Sequence, residues 1–207
     1  MNYPENILTV DNFAEVTYKE KSSVFVGQVY HCETENEVAN ILEPIKKKHY
    51  DATHYCYAYK LITEQFKYSN DGEPNGSAGI RILNAIEHFN LINVIVVITR
   101  YYGGTKLGVG PLGKAYYTSA YDVLKNAKKL EKVFFQKVNI EADFNYISHI
   151  HRILSNHNAI IENSVYKEKA IFECSIIPSE LSKIIFQLSD ISKGEIKIVA
   201  TEVNYYR

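Results

Sequence analysis

NVIVVITRYYGGTKLGVGPLGKAYY, residues 93 to 117, carries the strongest structural signal in the chain. It opens with five consecutive β-branched residues, 94 to 98, a run typical of a strand that is buried on both faces. Such a strand lies in the middle of a sheet. A loop with five glycines follows, and a helical pattern begins at Leu112 or Gly113. The stretch therefore predicts a central strand, a glycine loop and a helix in succession.

The glycine loop has the composition of an anion-binding site. Arg100 comes at the end of the strand, and Lys106 lies inside the loop. Glycine permits a close approach of the backbone to a ligand, while the free N–H groups and dipole of a helix N-terminus attract a negative group. We therefore predict an anion or nucleic-acid site here, with the Arg100 stem packed on Tyr57 or Tyr101. Its residues are Arg100, Lys106, Lys114, Gly103, Gly104, Gly108, Gly110, His54, Tyr57 and Tyr101.

Two other interpretations of the glycines compete with the anion site. Gly108, Gly110 and Gly113 form a G-x-G-x-x-G string, but in a dinucleotide-binding fold the first glycine follows the strand almost at once. Here residues 101 to 107 intervene, and no second parallel strand ending in an acidic residue follows. The glycines could instead serve only a tight loop. The accompanying cations, Arg100, Lys106 and Lys114, favour the anion site over that alternative.

The charge of the chain is nearly balanced, but its distribution is uneven. With 207 residues, 46% of them hydrophobic, the chain can bury a substantial core. A formal net charge of -1 gives no global basic field of the kind that marks many nucleic-acid binders. Between Arg81 and Lys132, however, eight Lys or Arg residues face three Asp or Glu residues. Positive charge is thus concentrated around the glycine loop.

The cysteines and the N-terminus favour a cytoplasmic protein. Cys32, Cys56 and Cys174 are odd in number and far apart, with no C-x-x-C pair to suggest zinc or redox chemistry. No signal-peptide pattern opens the chain, and no apolar run approaches membrane-spanning length. We therefore predict a cytoplasmic location, no membrane association and no cofactor. The sequence does not indicate an oligomeric state.

The segments before residue 93 predict two strand pairs around a helix. Residues 15–18 and 24–32 predict a hairpin, and residues 54–61 and 66–68 predict a second pair of strands. Between these pairs, Thr34 and Glu37 have the spacing of a capping box at the start of a helix.

Residues 69–79 form a turn-rich loop in front of an amphipathic helix. Asp71, Glu73 and Ser77 in this loop admit two interpretations. They are suited to metal binding or to general acid/base work, yet such residues more often make turns and caps, and Ser77 could cap the helix. We therefore predict no catalytic residue and no metal ligand, and treat Asp71, Glu73 and Ser77 as a secondary acidic loop.

The pattern of strands and helices restarts after Lys132. Residues 134–143, 159–166, 170–177 and 196–203 predict strands, and apolar residues at helical spacing follow the first and the third of them. This order is β-α-β-β-α-β, the ferredoxin-like arrangement. We predict an α+β or α/β fold with two domains, residues 1–132 and 133–207.

Two long blocks of sequence resemble the YigZ/IMPACT family. One runs from Asp71 to Gly79, and the other from Asn93 through Arg100 and the glycine loop to Tyr116. Shorter matches are Lys21-Ser22 with Phe25, and residues 52–54 with residues 56–59. Asn70 departs from the family pattern, which usually has a first Asp there, and this weakens a carboxylate cluster for metal.

The resemblance implies fold and function together. It implies an N-terminal α/β domain like those of ribosomal proteins and translation factors, and a ferredoxin-like C-terminal domain similar to one of elongation factor G. Eukaryotic IMPACT proteins act in translational control, so the resemblance favours a translation-associated regulatory protein that binds RNA, the ribosome or a ribosome-bound regulator. An enzyme acting on a phosphorylated small molecule in the same groove is the alternative, and an interaction scaffold without an anion ligand is a third. The sequence leaves enzyme activity undecided and favours binding.

Overall fold

A computed structural model describes residues 3–11, 13–63 and 65–207. The described residues form ten strands, five α-helices and one short 3-10 helix. The described part of the chain divides into two compact units, residues 7–131 and residues 132–207, and residues 3–6 belong to the second unit. The mixed fold class predicted from the sequence is confirmed. Whether the two units fold independently stays a prediction.

The first unit contains six strands and three helices among its described residues. Its strands are β1 (Asn6–Val10), β2 (Ala14–Glu20), β3 (Ser23–His31), β4 (His54–Lys60), β5 (Phe66–Ser69) and β6 (Val94–Tyr101). Its helices are α1 (Glu35–Lys48), α2 (Gly79–His88) and α3 (Val109–Asn126).

Strand β6 is the centre of the main sheet, as predicted. The order is β2-β3-β6-β4-β5, and every neighbouring pair is antiparallel. The first seven residues of β6 are all buried, because helices cover both faces of the sheet. Its even-numbered apolar residues pack with α2 and α3, whereas Ile95 and Val97 pack with α1. This double coverage explains the unbroken apolar run in the sequence.

The two helices beside the predicted loops begin differently from the sequence prediction. Helix α3 starts at Val109, earlier than Leu112, because Gly108 takes φ 85° and its carbonyl already accepts from the Leu112 N–H at 2.9 Å. Ser77 does not cap α2, and its Oγ donates to the Pro74 carbonyl at 2.6 Å instead. The first N–H of α2, that of Gly79, donates to Asn70 Oδ1 at 2.8 Å.

The second unit has the β-α-β-β-α-β order predicted for it. Its backbone gives an antiparallel sheet ordered β10-β7-β9-β8. The helices pack their apolar residues on one face of this sheet, where Val138, Ile140 and Phe172 are fully buried. Its elements are β7 (Lys129–Ala142), a 3-10 helix (Phe144–Tyr146), α4 (Ile147–Asn156), β8 (Ile160–Tyr166), β9 (Ala170–Ile176), α5 (Pro178–Ser192) and β10 (Lys197–Tyr206).

None of the helices in the described part of the chain is both long enough and apolar enough to cross a membrane.

Candidate functional site

A pocket of about 490 Å³ lies in the first unit, where the C-terminal end of β6 meets the N-terminal ends of β4 and α3. This volume is within the range of small-molecule sites, about 300 to 1,000 Å³. Strand ends and loops supply its polar groups, and its remaining walls are largely apolar. The lining residues are Thr53, His54, Glu73, Pro74, Arg100, Tyr102, Lys106, Leu107, Gly108, Val109 and Leu112.

A buried ion pair forms the floor of this pocket. Arg100 Nη1 donates to Glu73 Oε1 at 2.5 Å, and the two residues are only 5% and 7% exposed. Tyr116, on α3, donates its hydroxyl to the same oxygen at 2.7 Å. Because a carboxylate removed from water needs charged and neutral donors to replace its hydration, these contacts explain how Glu73 can remain buried.

The guanidinium of Arg100 is held from several sides. It lies 5.4 Å from the ring centres of Phe25 and Tyr102, and Nη2 is 3.4 Å from Ser23 Oγ. Its Nε–H has no acceptor among the described residues. The predicted packing on Tyr57 or Tyr101 is wrong. Side chains alternate along a strand, so Tyr101 points away from the face that carries Arg100, and Tyr57 packs in the cluster on that other face with Ile95 and Val97.

The loop that presents Glu73 is fixed by its own hydrogen bonds. Asp71 and Gly72 take φ angles of 43° and 85°, which turn the chain back on itself. Asp71 Oδ2 accepts from the Tyr55 N–H at 2.7 Å, and the Glu73 N–H donates to the Asn70 carbonyl at 2.9 Å. The loop is therefore tied to β4, and Asp71 acts through this tie and not through the pocket.

His54 is oriented by the same loop. Its Nδ1 lies 2.7 Å from the Asp71 carbonyl oxygen, which can only accept, so Nδ1 carries the hydrogen. In the neutral ring Nε2 is then an acceptor, and it lies 3.9 Å from Glu73 Oε1. The pocket wall thus holds two adjacent acceptors, a carboxylate and an imidazole nitrogen.

Tyr116 and Cys56 complete the network behind Glu73. Burial raises the pKa of the Tyr116 hydroxyl well above its ordinary value, and the neighbouring Cys56 and Glu73 raise it further. Burial also raises the pKa of Cys56 to about 12. Tyr116 therefore remains a donor at neutral pH. Cys56 remains a thiol that donates to the Asn70 carbonyl at 3.0 Å, so it is unsuited to nucleophilic chemistry.

The rim of the pocket carries the other basic group. Lys106 is exposed, and within the part of the chain that the structure describes no ion pair joins it to Asp71 or Glu73. Next to it α3 begins at Gly108 without a side-chain cap. Val109, in the first turn of this helix, lines the pocket, and an N–H in that position has no acceptor within the helix.

The structure brings only part of the predicted site together. Arg100, Lys106, Gly108 and His54 line the pocket, as does Glu73 from the secondary acidic loop. Tyr57 and Tyr101 lie on the opposite face of the sheet. There Tyr57 packs in the cluster around α1, and the Tyr101 hydroxyl lies 2.8 Å from His49 Nδ1.

The other predicted residues lie outside the lining. Gly103 is required by packing, since a Cβ there would lie 2.0 Å from the Ser22 carbonyl oxygen. Gly104 makes a turn with φ 80°, while Gly110 and Lys114 are exposed on α3. Asp71 and Ser77 also lie outside the lining, and nowhere among the described residues do three His, Cys, Asp or Glu side chains group closely enough to hold a metal ion.

Sequence reasoning missed Tyr116, Tyr102 and Thr53. Tyr116 could have been recognised from the helical pattern, which places its ring towards β6. A buried tyrosine hydroxyl needs a polar partner, so a polar contact was to be expected there. Tyr102 and Thr53 belong to loop segments, where no periodicity indicates direction.

The fold and the pocket define a class of two-unit α+β protein with a glycine-loop pocket over a buried Arg–Glu pair. Residues 21–124 match the family model described as Impact N-terminal domain, and this segment contains every residue of the pocket. The chain belongs to the IMPACT family, as the resemblance predicted.

Relatives match almost the whole chain. IMPACT family member YvyE of Bacillus subtilis (strain 168) is 29% identical over 196 residues, which cover 90% of each chain. IMPACT family member YigZ of Escherichia coli (strain K12) is 27% identical over 186 residues, 88% of this chain and 91% of YigZ. A crystal structure of a hypothetical protein superimposes with a TM-score of 0.69 at 25% identity, covering 96% of this chain and 98% of that one.

Proposed function

We propose that the protein is a translation-associated binding protein that holds a phosphate group of RNA, free or in the ribosome, at the rim of the pocket. The observation that carries this proposal is Lys106, an exposed cation beside the uncapped N-terminus of α3 and without an ion-pair partner among the described residues. Membership of the IMPACT family supports the link to translation, because the family resemblance implies translational control for its eukaryotic members. A ribosome-bound regulatory protein is the other partner that this resemblance suggests.

The charges of the pocket favour a phosphate at Lys106 over one at the floor. Arg100 is already neutralised by Glu73 at 2.5 Å, so its charge is not free to hold a polyanion. Lys106 has no such compensation, and the N-terminus of a helix contributes roughly half a positive charge. A phosphate is therefore stabilised most at the rim, where Lys106 and the N-terminus of α3 lie next to each other.

RNA binding as a function of salt concentration tests this proposal. Lys106→Ala should weaken the binding of unrelated RNA sequences similarly and reduce the log–log salt slope by about 0.7, the contribution of one phosphate contact on a single strand. Lys114→Ala is the matched control, because Lys114 is an exposed lysine on α3 outside the pocket lining. Unchanged affinity and slope in Lys106→Ala would remove the rim from any role in RNA binding.

A second function, an enzyme acting on a phosphorylated small molecule, is favoured by one observation. His54 has its Nδ1–H fixed on the Asp71 carbonyl, and its Nε2 lies 3.9 Å from Glu73 at the wall of the pocket. A base held in this way is suited to proton transfer. A crosslinked pull-down from cells, examined for RNA and protein, separates the two functions. Enrichment of either supports the binding protein, and enrichment of neither favours the enzyme.

A further inference from the structure

The pocket wall carries two hydrogen-bond acceptors, Glu73 and His54 Nε2, that the binding of a phosphate does not use. We propose that the pocket recognises a ribonucleoside 5′-monophosphate whose 2′- and 3′-hydroxyls are both free. Such a group occurs as a free nucleotide and as the 3′-terminal nucleotide of an RNA. The phosphate end of this proposal rests on the proposed function of the rim, whereas the ribose end rests on different residues.

Glu73 has one oxygen to offer to a ligand. Arg100, Tyr116 and His54 all approach Oε1, and Oε2 makes no hydrogen bond with any described residue. In the neutral ring His54 Nε2 is the adjacent acceptor. Two acceptors at one wall call for two donors on the ligand. Because Arg100 already neutralises Glu73, hydroxyl groups fit this wall better than an ammonium ion does.

The remaining lining suits the other parts of a nucleotide. Lys106 and the first N–H groups of α3 offer positive charge for the 5′-phosphate. Arg100, which is 5% exposed and lines the pocket, has an Nε–H without an acceptor among the described residues. Tyr102 is 42% exposed, and its ring together with Pro74 and Leu107 provides an apolar surface for a base.

An internal nucleotide of an RNA does not satisfy the same wall. Its 3′-oxygen is esterified, so it has lost one donor and brings phosphate oxygens, which can only accept, towards Glu73 and His54 Nε2. Acceptors that face acceptors with no hydrogen between them disfavour this nucleotide, which is how a site can select by repulsion as well as by attraction. The pocket therefore accepts the end of a strand, and its rim accepts a phosphate of that terminal residue.

Equilibrium binding of short RNAs that differ only at the 3′ end tests the proposal. The three RNAs carry a free cis-diol, a 2′,3′-dideoxy terminus or a 3′-phosphate, and 5′-AMP and 2′,3′-dideoxy-AMP form the free-nucleotide arm. We expect the cis-diol ligands to bind roughly tenfold to a hundredfold more tightly than their modified counterparts, because each lost hydrogen bond to a charged group is worth that order of affinity.

Variants test whether Glu73 and His54 produce the preference for the cis-diol. Glu73→Gln and His54→Phe should each reduce the ratio of cis-diol to dideoxy affinity, a ratio that a general loss of folded protein leaves unchanged. Lys106→Ala should weaken both ligands and preserve the ratio, and Lys114→Ala should change neither. A ratio that stays at its original value in both Glu73→Gln and His54→Phe overturns the proposal.

The outcomes separate this inference from the proposed function. Equal affinity for all three RNAs overturns the inference and leaves RNA binding at the rim intact. Selective binding of 5′-AMP without any RNA binding supports the inference and contradicts the proposed function. Binding of neither RNA nor 5′-AMP overturns both.

Discussion

The two units each contain a glutamate that accepts from an arginine and a tyrosine, and the two clusters differ in burial. In the first unit Glu73 Oε1 accepts from Arg100 and Tyr116. In the second unit Glu162 Oε1 accepts from Arg207 at 3.2 Å and from Tyr205 at 2.9 Å. The side chains of Arg100 and Glu73 are 6% and 4% exposed, whereas those of Arg207 and Glu162 are 58% and 34% exposed.

The difference shows that burial, and not the identity of the residues, gives such a cluster its energetic weight. Water competes for every group around Glu162, so its ion pair contributes little to stability. The Glu73 side chain is almost completely removed from solvent, so the loss of a donor there is costly. The same chemistry is thus a surface contact in one unit and a fixed pocket floor in the other.

The largest expected effect is that of removing Arg100. Arg100→Met keeps an unbranched stem but leaves Glu73 buried without its cation, and we expect a loss of about 3 to 5 kcal/mol in the free energy of unfolding. Arg207→Met, the matched change in the second unit, should lose about 0 to 1 kcal/mol. Denaturant unfolding measures both. The double variant Arg100→Met with Glu73→Leu should recover part of the loss, and equal losses in the two single variants would contradict the comparison.

Removing the tyrosine hydroxyls should have a smaller effect in the same direction. Tyr116→Phe deletes the second donor of Glu73 and should lower the unfolding free energy by about 1.5 to 3 kcal/mol, the range for a hydrogen bond to a charged group. Tyr205→Phe leaves Glu162 with Ser175 and Arg207 and should lower it by less than about 1 kcal/mol. Thermal and denaturant unfolding of Tyr116→Phe and Tyr205→Phe measure the two losses. A larger loss in Tyr205→Phe would contradict the greater weight of the buried cluster.

Only part of the pocket floor could be predicted from the sequence. The β-branched run and the restart after Lys132 predicted the central strand and the ferredoxin-like unit, because period and run length depend on local sequence. Arg100 and Glu73 were each selected for their chemistry. Their pairing was not predicted, because 27 positions separate them and only the loop with positive φ at Asp71 and Gly72 brings them together.

Tyr57 and Tyr101 show where a simple rule would have corrected the predicted site. Residues i and i+1 of a strand point to opposite faces, so Arg100 and Tyr101 cannot share a pocket wall. The same alternation separates His54 from Tyr57 on β4. Loop residues such as Lys106 follow no such rule, and their place beside the pocket depended on the three-dimensional path of the glycine loop.

The contribution of Glu162 to the unfolding free energy should depend on pH. The hydrogen bonds of Tyr205 and Ser175, with Arg207 and Lys137 nearby, hold the pKa of Glu162 below its ordinary value. Because the pKa of Glu162 is lower in the folded than in the unfolded protein, its ionised form stabilises the fold at pH values above the unfolded pKa. This stability is lost as the pH falls through about 4.3 and below. The difference in unfolding free energy between the protein and Glu162→Gln should therefore shrink in acid. A difference that is constant from neutral to acidic pH would contradict the role of these contacts.

The smallest expected effect on stability is that of Lys106→Ala. Lys106 is exposed and makes no ion pair within the described part of the chain, so its removal should change the unfolding free energy by less than about 0.5 kcal/mol. Arg100 and Lys106 line the same pocket, yet the first belongs to the folded core and the second is available to a ligand. Denaturant unfolding of Lys106→Ala beside Lys114→Ala checks this division. A loss of several kcal/mol from Lys106→Ala alone would make the glycine loop a structural clamp, and the rim would then have no cation free to hold a phosphate.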